Sequence, residues 1–221
     1  MAYLNHVRNI LFDLDGTLVD SSETILASVL HALGRLDIDP DSGPDVESLI
    51  GVPLLDIFVG EYGMPDGQAQ RAIDIYRDHY EQLNQAGTTV YDGVREGLLH
   101  LQKHGYGLYI ATVKPTSIAE KVLQDLDLRQ HFSGVAGASM GPERRGKTGI
   151  ITHALGKFDL DAGRSMMVGD RDQDVDGARH NGLVSVAVTY GFGQAEELAG
   201  AAPDHTVDGF SEVVSLVLEA G

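Results

Sequence analysis

Two acidic clusters carry the chemistry open to this chain. The first, Asp13-Leu14-Asp15-Gly16-Thr17, sets two carboxylates two positions apart where the apolar run Asn9-Ile10-Leu11-Phe12 ends. The second, Gly169-Asp170-Arg171-Asp172-Gln173-Asp174, follows the apolar run Ser165-Met166-Met167-Val168. Each run reads as a buried strand, and Gly16 as the terminator of the first. Ionisable acids at the end of a core strand are costly unless a cation or a reaction uses them. Two oxygen-rich loops converging from separate strands suit a hard cation such as Mg²⁺, which prefers octahedral oxygen coordination and keeps some of its waters. Asp172 and Asp174 also admit a plainer account, as acids at a helix N-terminus favoured by the helix dipole.

The elements that must position these residues can be read from hydrophobic spacing. Ile25, Leu26, Val29, Leu30, Leu33 and Leu36 recur at helical intervals behind the possible caps Ser21 and Ser22. A shorter helix is expected over Leu54 to Val59, entered through Pro53. A third has Ala69, Ala72, Ile73, Tyr76, Tyr80 and Leu83 on one face. Residues 18–87 therefore read as all-helical. After Gly87 strands and helices alternate: a helix near Val94 to His104, a strand over Leu108 to Thr112, and a helix opened by Pro115, a residue suited to the first helical turn. A strand follows over Val135 to Ala138, then a helix over Thr148 to Leu155, strands at Ser165 and at Leu183 to Val188, and a closing helix over Phe210 to Leu218.

Such alternation predicts an α/β fold with a doubly wound parallel sheet, whose ligands sit at the C-terminal ends of its strands. Asp13, Thr112 and Asp170 all fall at such ends. The predicted organisation is an α/β core of residues 1–17 and 88–221, with a helical cap domain of residues 18–87 inserted after the first strand.

Composition narrows the function classes. Of 221 residues, 43% are hydrophobic and 22% charged, as in an ordinary globular protein long enough to bury a proper core. The formal charge of −17 argues against a nucleic-acid backbone as partner, which needs clustered Lys and Arg. It also requires that any site for a phosphorylated metabolite supply its own local positive charge. Most of the acids serve as a solvated surface. No apolar run reaches membrane-spanning length, and the N-terminus lacks the pattern of a signal peptide. The absence of cysteine excludes disulfides and thiolate catalysis and is compatible with a cytoplasmic setting, as monomer or homodimer.

The segment DLDGTLVDS, Asp13 to Ser21, resembles the first signature of the haloacid-dehalogenase-like hydrolases, especially the phosphoglycolate phosphatase and 5'-nucleotidase-like members. The likeness extends through most of the chain, to the Tyr190-Gly191 turn and Glu196-Glu197-Leu198. The last family signature, GDxxxD, maps onto Asp170 and Asp174. By this resemblance Asp13 is the nucleophile that forms an aspartyl-phosphate. Asp15 protonates the leaving alcohol and then deprotonates the attacking water. Asp13, Asp170 and the main-chain carbonyl of Asp15 hold Mg²⁺, with Asp174 anchoring metal-bound water. A carboxylate at position 15 favours phosphoester chemistry over dehalogenase or phosphonatase chemistry.

Thr112 matches the hydroxyl that ends the family's second motif and bonds a phosphoryl oxygen, although a β-branched residue at a strand end explains it too. Relatives often carry Asn or Ser at the next position, where this chain has Val113. Lys114 reads as a solvent-facing loop residue. Lys147 fits the third motif, a lysine opening a helix and neutralising nucleophile and phosphate. A rival reading takes Gly141 to Thr148, GPERRGKT, as a nucleotide phosphate loop. Its place late in the chain argues against that, and it leaves DLDGT unexplained. His100 and His104, at i and i+4, lack an acidic third ligand nearby and read as solvent-facing. In the cap, Ile50-Gly51-Val52-Pro53-Leu54 resembles a loop facing the site in phosphoglycolate-phosphatase-like proteins, but a turn between helices accounts for it equally well.

The leading expectation is a Mg²⁺-dependent phosphomonoesterase for a small metabolite such as phosphoglycolate, a nucleoside monophosphate or a sugar phosphate. A phosphoglucomutase-type phosphotransferase shares the first motif. A receiver-like binding module also presents acids at strand ends, but lacks a long insertion after its first strand.

Overall fold

The computed structural model describes residues 4–83, 86–139 and 146–218. The chain divides into two compact units, Met1–Asp20 with Val90–Gly221, and Ser21–Thr89. In chain order the strands are β1 (Asn9–Phe12), β2 (Val19–Asp20), β3 (Thr89–Val90), β4 (Gly107–Pro115), β5 (Gly134–Ala138), β6 (Ser165–Gly169), β7 (Val184–Val188) and β8 (His205–Val207). The α-helices are α1 (Ser22–Arg35), α2 (Asp66–Leu83), α3 (Val94–Lys103), α4 (Thr116–Asp125), α5 (Lys147–Phe158), α6 (Asp172–Asn181), α7 (Ala195–Ala201) and α8 (Phe210–Leu218). No helix among the described residues is long and apolar enough to cross a membrane.

Six strands form one parallel sheet in the order β5-β4-β1-β6-β7-β8. From β1 the chain winds out through β4 to β5, then returns to lay β6 on the other side of β1. The doubly wound topology therefore reverses at β1, the place where such sheets open a crevice at their C-terminal edge. Register puts the acids there: Phe12 lies opposite Ile110 of β4 and Val168 of β6, so Asp13, Ala111 and Gly169 come next at one level.

Both faces of the sheet are covered, which is why its central strands read as continuous apolar runs rather than alternating ones. Leu11, Ala111 and Met167 bury one face against Ile150, Ile151 and Ala154 of α5 and Ala178 of α6. On β1 the next side chain points the other way. The Phe12 ring meets Phe132 edge-on at 6.3 Å and Phe210 of α8 at 5.7 Å between centroids. In the second unit, α1 packs on α2. Ile25, Val29, Ala32 and Leu33 of α1 and Ala69, Ala72, Ile73, Tyr76 and Tyr80 of α2 are its buried face.

Several expectations need correction. Val19–Asp20 is a strand that pairs with Thr89–Val90, although it lies in the stretch expected to be wholly helical. Two residues are too few to display a period. The short helix after Pro53 is wound over Asp56–Glu61 as a π-helix. Leu30 matches the apolar period of α1 yet stands 43% exposed. β8 carries no strand signal in the sequence, since three residues with one buried side chain leave little pattern. β4 runs on past Thr112 to Pro115.

Phe210 is 1% exposed and fills the face of the sheet beneath Phe12. Phe210→Ala should destabilise the core unit by roughly 3–5 kcal/mol through lost burial and a residual cavity. Urea unfolding should show a lower midpoint at an unchanged slope.

Candidate active site

The site begins where β1 runs out. The Asp13 amide still donates to Val168 O at 2.9 Å, so this residue is held in the sheet's own ladder. Its Oδ1 accepts the Leu14 amide at 2.8 Å. The chain then turns tightly: the Gly16 amide donates to Val19 O, and the Leu18 and Val19 amides both donate to Leu14 O. Gly16 has φ +82°, and a Cβ there would lie 2.2 Å from Asp170 Oδ2. The glycine of DLDGT is thus required twice, for its left-handed backbone and for the space the second acidic cluster occupies.

Asp170 follows β6 and is fully buried. Thr17 Oγ1 donates to its Oδ1 at 2.9 Å, and the Phe192 amide donates to its Oδ2 at 2.9 Å. Tyr190 braces the same loop, its hydroxyl donating to Thr17 O at 2.7 Å. Burial, with the negative charges of Asp174 and Asp13, pushes the Asp170 carboxyl up to about 7 despite those two hydrogen bonds.

Asp174 sits in the first turn of α6, 1% exposed. Its Oδ2 accepts the Arg171 amide at 3.1 Å, so it does cap the helix as the plainer account of this acid holds. Its Oδ1 forms an ion pair with Lys147 Nζ at 2.7 Å. Burial raises its carboxyl to about 6; Lys147 opposes that rise and Asp13 adds to it. Arg171 and Asp172 are tied to Glu197 of α7, through Arg171 Nε at 2.7 Å and the Asp172 amide at 3.0 Å.

Lys147 opens α5 at 2% exposure, and its Nζ lies 2.8 Å from Asp13 Oδ2 and 3.1 Å from Ala111 O. Burial alone would lower its pKa, but the charges of Asp13 and Asp174 outweigh burial and hold the ammonium above its usual value. Residues 141–145 of the GPERRGKT segment lie outside the described residues; Lys147 itself is committed to the two aspartates. Thr112 is 1% exposed in β4, and its Oγ1 accepts the Lys114 amide at 3.2 Å.

Of the residues singled out from sequence, Asp13, Asp170, Asp174 and Lys147 are brought into direct contact or near contact. One carboxylate oxygen from each of Asp13, Asp170 and Asp174 lies within 4.8 Å of the others, a donor set of hard oxygens that suits a divalent cation. Asp15 stands apart from this cluster, bound instead by Lys114, whose Nζ reaches both its oxygens at 3.0 and 2.8 Å. The solvent-facing reading of Lys114 is therefore wrong: it is 9% exposed, and only its sequence position beyond a strand end suggested otherwise. Thr17 and the Phe192 amide, which orient Asp170, were likewise not anticipated as site residues. His100 and His104 are exposed, as expected.

The model of the family described as haloacid dehalogenase-like hydrolase matches residues 10–188, which include Asp13, Asp15, Thr112, Lys114, Lys147, Asp170 and Asp174. A 5'-nucleotidase from Pseudomonas aeruginosa is 39% identical over 197 residues, 89% of each chain. The tyrosine-protein kinase PtkA from Mycobacterium tuberculosis is 35% identical over 187 residues, 85% of this chain but 64% of that longer protein. The crystal structure of a predicted phosphatase from Clostridium acetobutylicum superimposes with a TM-score of 0.89 at 36% identity, over 96% of this chain and 99% of the other. With its sheet order, its paired acidic loops and its lysine at the head of α5, the chain belongs to the haloacid dehalogenase-like hydrolases.

Proposed function

We propose that the protein is a Mg²⁺-dependent phosphomonoesterase acting on a small phosphorylated metabolite through an aspartyl-phosphate, with the helical unit as its cap. Phosphoglycolate, a nucleoside monophosphate and a sugar phosphate are the substrate classes to test. The observation that carries this reading is the buried cluster of Asp13, Asp170 and Asp174, with the Lys147 ammonium against Asp13 and Asp174 and with Asp15 two residues from Asp13.

In the first half-reaction a carboxylate oxygen of Asp13 attacks phosphorus, the bond to the leaving oxygen breaks, and Asp15 gives that oxygen a proton. In the second, Asp15 takes a proton from water, whose oxygen attacks phosphorus and releases the Asp13 carboxylate and inorganic phosphate. Lys147 offsets the charge of Asp13, and Thr112 offers its hydroxyl proton to a phosphoryl oxygen. Asp13, Asp170 and the Asp15 carbonyl would hold the cation, with Asp174 within reach of its waters. The cation supplies the charge compensation that lets an anionic phosphoryl group approach an anionic nucleophile. The likeness to PtkA supports a second reading, in which phosphate passes from Asp13 to an acceptor hydroxyl rather than to water.

Asp13→Asn should reduce metal-dependent phosphate release to background across a panel of phosphoglycolate, nucleoside monophosphates, sugar phosphates and p-nitrophenyl phosphate, with the melting temperature little changed. Wild-type turnover in that variant would remove the nucleophile. Phosphate retained on wild-type Asp13 and delivered to an added hydroxyl compound would favour the transferase reading.

The two raised carboxyls give a pH signature. Unfolded, both revert toward about 3.9. Native Asp170 and Asp174, at about 7 and about 6, therefore hold protons that the unfolded chain releases. Their contribution to stability is fully present below about pH 4 and is lost as pH rises through 6 and 7. A cation compensates the ionised pair, so the gain in melting temperature from saturating Mg²⁺ should be larger at pH 8 than at pH 5.5. Equal gains at both would argue against a cation between these carboxylates.

A further inference from the structure

The pairing of β4 with β5 is interrupted just where the site begins. Thr112 lies opposite Gly137, but the next matched pair is Pro115 with Ala138, so Val113 and Lys114 have no counterpart on β5. Bulges of this kind bend a strand and re-aim its side chains, and they recur beside active sites. This one is built in from both strands. A Cβ on Gly137 would lie 2.3 Å from Lys114 O and 2.6 Å from Thr116 N, so any side chain there would collide with the bulged backbone. The Gly137 amide donates to Thr116 Oγ1 at 3.0 Å, and the Lys114 amide to Thr112 Oγ1 at 3.2 Å, which ties the extra residues down at each end.

The bulge carries Lys114 to Asp15. Nζ reaches both carboxylate oxygens, at 3.0 and 2.8 Å, with the two side chains only 8% and 14% exposed. An ion pair held this far from water is weak grounds for stability, because desolvating both charges offsets much of their attraction. Its geometric effect is stronger: contact with both oxygens fixes the plane of the carboxylate as well as its position.

We propose that Lys114 is a positioning residue for Asp15, and that the β4 bulge, opened by Gly137, is the device that delivers it. The inference rests on the reading of Asp15 as the group that exchanges a proton with the leaving oxygen. Lys114 acts on the reaction through Asp15 and not by holding the phosphoryl group.

Leaving-group dependence separates the possibilities. An alkyl phosphate needs a proton on its leaving oxygen, whereas p-nitrophenolate leaves without one. Lys114→Met should lower kcat for an alkyl phosphate by about a hundredfold, the order expected when a reacting group is misplaced by an ångström. It should lower kcat for p-nitrophenyl phosphate by less than about tenfold, following the pattern of Asp15→Asn. The double variant Lys114→Met/Asp15→Asn should be no slower than Asp15→Asn alone, because two residues acting as one unit are not additive. Lys114→Arg, which can still grip both oxygens, should recover part of the loss. Gly137→Ala should reproduce the pattern with the lysine side chain intact.

Equal losses on both esters, a change confined to KM, or additive losses in the double variant would overturn the proposal. Lys114 would then serve the substrate or the fold. Melting temperatures separate misfolding from misplacement, and if Gly137→Ala fails to fold, the Lys114 variants decide alone. Loss of the function reading looks different: the wild-type protein would show no metal-dependent turnover, or Asp15→Asn itself would show no leaving-group dependence.

Discussion

The constraint on which the site depends is charge confined at the edge of a sheet. Asp13, Asp170 and Asp174 are each at most 6% exposed and are gathered within reach of one another, with one buried ammonium, that of Lys147, against Asp13 and Asp174. Burial, with the charges of neighbouring aspartates, pushes the proton affinities of Asp170 and Asp174 upward, and Lys147 is held firmly protonated. A fold that kept only these four side chains would be short of positive charge. On the proposed reading that shortage has a use, since the deficit would draw a cation, and with it a phosphate, into a protein of strongly negative overall charge.

Much of the remaining architecture serves to keep that arrangement from relaxing. Reversal of the winding at β1 brings three strand ends to one level. The hydroxyl of Thr17 and the amide of Phe192 satisfy both oxygens of Asp170, while Asp174 is caught between a helix cap and a lysine. Phe12 and Leu11 anchor the strand on opposite faces, so Asp13 projects from a segment with little freedom to shift. The carboxylates are immobilised before any ligand arrives, which is the condition for electrostatic preorganisation.

The fold was legible in the sequence wherever an element was long or buried on both faces. β1, β6 and β7 are short apolar runs bounded by turn residues, and α1, α2 and α3 carry a clear helical period. What escaped were elements fixed by a few backbone bonds, β2, β3 and β8, together with the π winding of the expected short helix after Pro53. The site divides the same way. Asp13, Asp15, Thr112, Lys147, Asp170 and Asp174 stood out by motif and strand-end position. Lys114 did not, because its burial follows from a register slip between β4 and β5 that no residue type in β4 announces. Pro115 and Gly137 are its traces in sequence, and the first reads equally as a helix opening while the second is one of 27 glycines.

The central position of β1 has a consequence for how the molecule comes into being. Both of its neighbours are distant in sequence: Asn9 pairs with Gly107 on one side and with Ser165 on the other. The helices of the Ser21–Thr89 unit, by contrast, find their packing partners within that one stretch of chain. At synthesis rates of about 5–20 residues per second, β1 therefore waits roughly ten seconds or more for its second partner. Throughout that interval an apolar strand ending in two acids has an open hydrogen-bonding edge. One of the sheet's two central strands is thus the one exposed longest on the ribosome, and the nascent chain is most open to mispairing at the segment that leads into Asp13.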